Sequence, residues 1–264
     1  MILPVKSFSY CRNSTTGEET TMFDVRTIPV AERERITNNL LKWGIAIDQE
    51  TGKIDYIPGT TTPAVKCNSI YLIRHAETVA VVNHEFMSDT SANCAFTDNG
   101  IEITHKQAAQ LDSYNFDVAL YGPIERVVNT KNLIMQTPQK FPYVPVEKLH
   151  GINNTGWEYK TYFDLEHDPT FIAREIENNM FARTPKGSSW GTVIANCVDV
   201  LEFINQNYEG KNILLISQGS VLRAMQILLR ARKHPWDDFT VSGMYHVGDD
   251  SKKKKDYGII AKVF

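Results

Sequence analysis

The residues of this chain best suited to chemistry centre on one histidine. Arg74 and His75 close a short apolar run, Ser69-Ile-Tyr-Leu-Ile-Arg74, and Arg126 comes a few residues after a second run, Asp117-Val-Ala-Leu-Tyr121. Two guanidinium groups beside an imidazole suit a phosphate. Arginine grips non-bridging oxygens through paired, charge-assisted hydrogen bonds, and fixed cations offset the charge that develops in a transition state. Histidine can itself attack phosphorus, and the covalent intermediate divides one difficult displacement into two easier ones.

The elements that must position these groups are strands alternating with helices. The two runs, and a third at Lys211-Asn-Ile-Leu-Leu-Ile-Ser217, have the unbroken apolar character of strands covered on both faces. Helices are expected over about 101–112, after Gly122-Pro123 with Val127, Leu133 and Ile134 facing inward, through Val193, Cys197, Val200, Leu201 and Ile204, and from Gly219 onward. This alternation predicts an α/β fold, a three-layer sandwich around a mostly parallel sheet. Ligands of such sheets lie beyond the carboxyl ends of the strands, where Arg74 and His75 fall. Residues 1–65 read differently, as an N-terminal helix-hairpin extension to a domain spanning 66–264. A helix starts near Thr27-Ile-Pro29 with Ile36, Leu40 and Trp43 at helical spacing and Gly44 at its end. A hairpin follows around Glu50-Thr-Gly52, then a loop at 58–63.

Composition narrows the function classes. The 264 residues carry 28 Lys+Arg against 31 Asp+Glu, a formal charge of −3, which disfavours a nucleic-acid surface. No apolar run approaches the roughly 18 residues of a membrane span, and the amino terminus does not read as a leader, so a cytoplasmic protein is expected. The four cysteines are scattered without a C-x-x-C pair, which supports neither a disulfide scaffold nor a zinc site. With no metal-ligand cluster, glycine-rich phosphate loop or nucleotide fingerprint, no cofactor is expected. The basic run Lys252–Lys255 reads as a solvated turn before a final strand. The expected partner is a small phosphorylated molecule, and a homo-oligomer stays open.

Several motifs taken together resemble the histidine phosphatase superfamily, the phosphoglycerate-mutase-like group. Leu72-Ile-Arg-His-Ala-Glu-Thr78 resembles its R-H-G-E-T, Asn83 falls where that family has an asparagine, and Phe96-Thr-Asp-Asn-Gly100 resembles L-T-x-x-G. Tyr121-Gly-Pro-Ile-Glu-Arg-Val-Val-Asn-Thr130 resembles S-S-P-L-x-R-x-x-Q-T, and Leu149-His-Gly-Ile-Asn-Asn-Thr-Gly-Trp-Glu158 resembles L-x-E-x-x-x-G-x-W-E. Gly187-Ser-Ser-Trp190 resembles G-E-S, and Ile216-Ser-Gln-Gly219 resembles x-S-H-G. The resemblance implies that His75 attacks phosphorus while Arg74 and Arg126 clamp the oxygens. Backbone N–H groups near Gly219 add to the anion site. Glu77 and Asn83 join the substrate-binding set, Glu77 as a group that orients the arginine.

Two departures mark the site as degenerate. Gln218 stands at the family's second histidine, and glutamine donates a hydrogen bond without carrying charge. Gly151 stands at the family's general-acid glutamate, and a missing acid forfeits some 10²- to 10⁴-fold for a leaving group that needs a proton. Glu147, Glu158 and His150 are the nearby groups that could substitute, with Glu158 entered in the catalytic set. Tyr159, Tyr162 and Phe163 are read as walls of an aromatic pocket or as core, with Tyr159 in the substrate-binding set, and Trp157, Trp190 and Trp236 as packing residues or pocket walls. The favoured function is a phosphohydrolase working through phosphohistidine on a small phosphate with a good leaving group. The alternatives are a non-catalytic relative that binds a phosphorylated ligand or partner, and a repurposed lyase or isomerase on the same scaffold.

Overall fold

The computed structural model describes residues 23–57, 63–230 and the pair Ala261–Lys262. The expected lysine turn at 252–255, Trp236 and most of the loop at 58–63 lie outside the described residues. Pro29 precedes α1 (Val30–Leu41), whose Ile36 and Leu40 are buried together with Trp43. Gly44, at φ +72°, ends that helix in the left-handed region. The chain then forms β1 (Ile45–Ile47), paired antiparallel with β2 (Ile54–Tyr56).

The remaining elements alternate around the main sheet. They run β3 (Ser69–Arg74), α2 (Val79–Val82), α3 (Asp98–Gln110), β4 (Val118–Tyr121), α4 (Glu125–Ile134) and β5 (Tyr143–Pro145). The short turns α5 (Tyr162–Leu165) and α6 (Pro169–Phe171) and a single π-helical turn, Ile172–Ile176, precede α7 (Trp190–Asn207), β6 (Asn212–Ser217), α8 (Gly219–Arg230) and β7 (Ala261–Lys262). The sheet order is β5-β4-β6-β3-β7, with β3 to β6 parallel and β7 antiparallel beside β3. Strand β5 has no sequence signal because it is three residues long and ends on Pro145, with Pro142 just before it. Such residues suit only a sheet edge.

Period-two alternation sends successive strand residues to opposite faces. Ile70, Leu72, Val118, Leu120, Ile213 and Leu215 pack on one face with α1, α7 and α8. Ile73, Ala119, Leu214 and Ile216 pack on the other with Ala108 of α3 and Val127 and Ile134 of α4. Full burial of each large aliphatic side chain contributes about 1.5–3 kcal/mol, so the strands are fixed from both sides. Helix α1 lies against α7 at Gly191, where an added Cβ would come within 2.6 Å of Met180 O and 2.8 Å of Ile36 Cγ2. The Arg183–Glu32 ion pair at 2.9 Å and the Asn39 bonds to Ala195 O and Asp199 tie α1 to the same face. Among the described residues no helix is long and apolar enough to cross a membrane.

Candidate active site

Register between β3 and β6 places Arg74 directly opposite Ser217. Parallel strands end on the same side, so Arg74, His75 and Gln218 arrive at one edge of the sheet. The His75 N–H donates to Ser217 O at 2.9 Å, which extends the ladder one residue beyond the strand. The His75 side chain is only 2% exposed, and its Nδ1 lies 2.8 Å from Ala76 O. A carbonyl can only accept, so Nδ1 carries the proton and the neutral ring has its lone pair on Nε2. Burial, reinforced by the charges of Arg126 and then Arg74, holds the imidazole well below its ordinary value of 6.5. A buried ring between two cations is therefore neutral at physiological pH, the state a nucleophile requires.

Arg126 enters from the first turn of α4, and one helical turn later Thr130 fixes it to the histidine loop. The Thr130 hydroxyl donates to Arg126 O at 2.7 Å and accepts the Ala76 N–H at 2.8 Å. The guanidinium, 3% exposed, donates through Nη1 to Ser88 O at 2.9 Å and lies 3.5 Å from Cys94 Sγ. Its buried Nε has no hydrogen-bond partner among the described residues. A buried, uncommitted donor is uncommon in folded proteins, and here it belongs to a cation beside the histidine. Burial works against the charge on Arg126, while Cys94 and Asp89 favour it. A guanidinium still remains protonated in a protein.

Glycines bring the remaining segments close. At Gly100 an added Cβ would fall 2.5 Å from Glu77 O, so the start of α3 seats directly on the backbone after His75. At Gly122 it would fall 2.1 Å from Leu149 O, which also accepts the Ser217 hydroxyl at 3.1 Å. That contact lays residues 149–152 across the ends of β4 and β6. Gly151 then rests on Gln218, where an added Cβ would meet the Gln218 Oε1 at 2.0 Å and the Ser220 Oγ at 2.4 Å. Positions 151 and 218 therefore interlock. The Gln218 amide, in a residue only 4% exposed, occupies the room that a side chain at 151 would need.

The other expected site residues are distributed unevenly. Gly219 begins α8 at this same edge. Glu77 directs Oε1 to the Thr97 hydroxyl at 2.7 Å and Asn99 Nδ2 at 3.1 Å, so it ties the histidine loop to α3. Exposed Asn83 bonds Glu85 Oε1 at 3.3 Å. Glu158 turns back on its own chain and accepts the Gly156 N–H at 2.6 Å. Tyr159, 55% exposed and at φ +63°, accepts the Ala92 N–H through its hydroxyl at 3.1 Å. Trp157 is buried among Phe86, Phe171 and Tyr162, with the Arg174 guanidinium 4.3 Å from its ring centre, while Phe163 is 74% exposed.

Ser88, Cys94 and Thr130 touch Arg126 or its loop without having been singled out in the sequence. Thr130 had a signal, four residues after Arg126 within one motif, whereas Ser88 and Cys94 come from a loop with none. The same loop presents Asp89, whose Oδ2 lies 3.1 Å from His150 Nε2. His150 Nδ1 in turn lies 2.9 Å from Gly151 O. Among the described residues no group of three or more His, Cys, Asp or Glu side chains is placed to hold a metal ion.

Solved structures share this architecture at low identity. The phosphoserine phosphatase of Entamoeba histolytica, solved as a mutant with phosphoserine, superposes with a TM-score of 0.53 and 22% identity over 69% of this chain and 86% of its own. The putative alpha-ribazole-5'-P phosphatase of Escherichia coli gives a TM-score of 0.51 and 20% identity over 61% and 77%. YhfR of Bacillus stearothermophilus gives 0.53 and 19% over 62% and 80%. Curated protein sequences give no match. These similarities establish the fold, and the sequence profile of the histidine phosphatase superfamily, branch 1, matches residues 70–244. That span covers both arginines, the histidine and every strand of the parallel sheet except Ser69 of β3, so the chain belongs to the histidine phosphatase superfamily.

Proposed function

We propose that this protein is a phosphohydrolase that transfers the phosphoryl group of a small substrate to His75 and then to water. The observation that carries this reading is the state of His75. Its Nδ1–H is committed to Ala76 O, its lone pair is on Nε2, and burial, reinforced by Arg126 and Arg74, favours the neutral ring. Attack by Nε2 forms the P–N bond and breaks the bond from phosphorus to the leaving oxygen. Water then displaces the histidine and releases phosphate. Arg74 and Arg126 offset the charge on the equatorial oxygens in both steps, with the N–H groups at the start of α8 as further donors. A substrate whose leaving group is a weak base, such as an acyl phosphate, is the one this trio cleaves unaided. The phosphorylated molecules named for the structural relatives, phosphoserine among them, support a small phosphate ester as ligand.

The test is to mix the protein with acetyl phosphate, quench in alkali and look for acid-labile, alkali-stable phosphate on His75. His75→Ala should abolish that adduct and lower turnover by at least about 10⁴-fold. Retained turnover in His75→Ala would overturn the reading. Tight phosphate binding with neither adduct nor turnover would replace it with a non-catalytic, ligand-binding role. Because the His75 value is held well below 6.5, turnover of acetyl phosphate should persist at mildly acidic pH. Its acid limb should fall only where the buried ring protonates.

A further inference from the structure

We propose that His150, held by Asp89, is the proton donor to the leaving oxygen, so that the site also cleaves alkyl phosphate esters. This rests on the phosphohydrolase reading and supplies the acid that Gly151 cannot. Leu149 O is fixed against Gly122 and the Ser217 hydroxyl at the sheet's carboxyl edge, and His150 is the next residue. Asp89 adjoins Ser88, whose carbonyl receives the Arg126 Nη1. Each member of the pair is thus one residue from a contact that builds the clamp. The side chains are 28% and 25% exposed, which leaves both open to solvent, whereas His75 is buried.

The hydrogen bonds define the protonation state. Nδ1 faces a carbonyl at 2.9 Å and Nε2 faces a carboxylate at 3.1 Å, and both partners are acceptors. Two acceptors facing the two ring nitrogens favour the protonated imidazolium over the neutral ring. The charged groups that act on it are Asp89, from the loop after α2, and Arg126, from α4. The Asp89 hydrogen bond raises the value above 6.5 and prevails over burial and Arg126. His75 and His150 are thus pushed in opposite directions, the first toward the neutral ring and the second toward the protonated one. Such divergence separates the base or nucleophile from the acid in known active sites.

The step balances as follows. The His75 Nε2 lone pair forms the P–N bond, the P–O ester bond breaks, and its electrons go to the leaving oxygen. The His150 Nε2–H turns from Asp89 to that oxygen and transfers its proton, and the leaving group departs as an alcohol. Nδ1–H stays on Gly151 O, so neutral His150 has its lone pair on Nε2. In the second half that lone pair takes a proton from water as the water oxygen attacks phosphorus. The P–N bond breaks and its electrons return to His75. Asp89 is a positioning residue that keeps His150 charged between turnovers.

The experiment compares glycerol 3-phosphate, 4-nitrophenyl phosphate and acetyl phosphate with wild type, His150→Gln and Asp89→Asn. In His150→Gln the ratio of kcat/KM for glycerol 3-phosphate to that for acetyl phosphate should fall by about 10²- to 10⁴-fold, with 4-nitrophenyl phosphate between them. In Asp89→Asn the basic limb of the glycerol 3-phosphate pH profile should move to lower pH, because His150 loses the partner that raises its value. A purely structural strap would lower all three substrates together and leave that limb in place. This second readout stands even where His150→Gln fails to fold. An unchanged ratio, an unmoved limb, or wild-type turnover confined to acetyl and nitrophenyl phosphates would overturn the donor and leave the phosphohydrolase standing. No turnover of any of the three, and no His75 adduct, would overturn both.

Discussion

The strand-end clamp and the rim above it are built by opposite means. His75, Arg126, Thr130, Ser217 and Gln218 are all buried and are placed by sheet register and by the first turns of α4 and α8. Asp89, His150 and Tyr159 are half-buried or exposed, sit on loops, and are joined by contacts between segments far apart in sequence, while Glu158 bonds only its own turn. A buried clamp has one geometry, because moving any member strands polar groups in a low-dielectric interior. A rim carried on loops can change its side chains with little cost to the fold. The difference teaches where each part of the function resides. Under the proposed mechanism, phosphoryl binding and attack fall to the rigid layer, and leaving-group chemistry to the adjustable one.

The largest effect should come from the clamp. Arg126→Gln should lower kcat/KM by about 10²- to 10³-fold on every phosphate, as loss of a preorganised donor does elsewhere. A loss confined to one leaving-group class would move Arg126 conceptually from clamp to rim. Next comes Gly151→Ala, whose Cβ would meet the Gln218 amide at 2.0 Å and the Ser220 hydroxyl at 2.4 Å. It should cost about 1–3 kcal/mol in denaturant unfolding, and the cost should shrink by about 0.5 kcal/mol or more in a Gln218→Ala background. Strict additivity would show that the two positions do not touch in solution. Thr130→Val leaves the buried Ala76 N–H without its acceptor, at a cost of about 1–3 kcal/mol. The accompanying loss of turnover should be shared by acyl and alkyl phosphates alike. The smallest effect is assigned to Glu158→Gln, because that carboxylate is committed to Gly156. Its kcat/KM should stay within about 3-fold of wild type on glycerol 3-phosphate, well short of the 10²-fold or more expected of a lost acid.

The buried layer was legible in the sequence because it is made from signals that sequence carries directly. The runs at 69–74, 117–121 and 211–217 fall on strands within a residue, since strands covered on both faces need unbroken apolar stretches. Arg74, His75 and Gln218 could be placed at one edge because parallel strands end together. Strand β5 escaped notice because its prolines mimic a loop. The rim was far less legible. His150 and Glu158 are equally plausible acids in a linear string, and only the fold shows one facing Asp89 and the other capping its own turn. Asp89 had no signal, as its role depends on where a loop lands. The absence of a side chain at Gly151 could be read, but not that the Gln218 amide fills the space.

That last contact has a consequence for the order of substitution. Positions 151 and 218 share one space, so changes at the two are expected to be coupled. Glutamine can adopt its present pose only over a residue without a Cβ, and any larger residue at 151 must first see that amide displaced. Enlarging 151 alone in the present pair therefore passes through a crowded intermediate. A route that trims 218 before enlarging 151 avoids it, and the same order applies to anyone rebuilding the acidic residue at 151 by design.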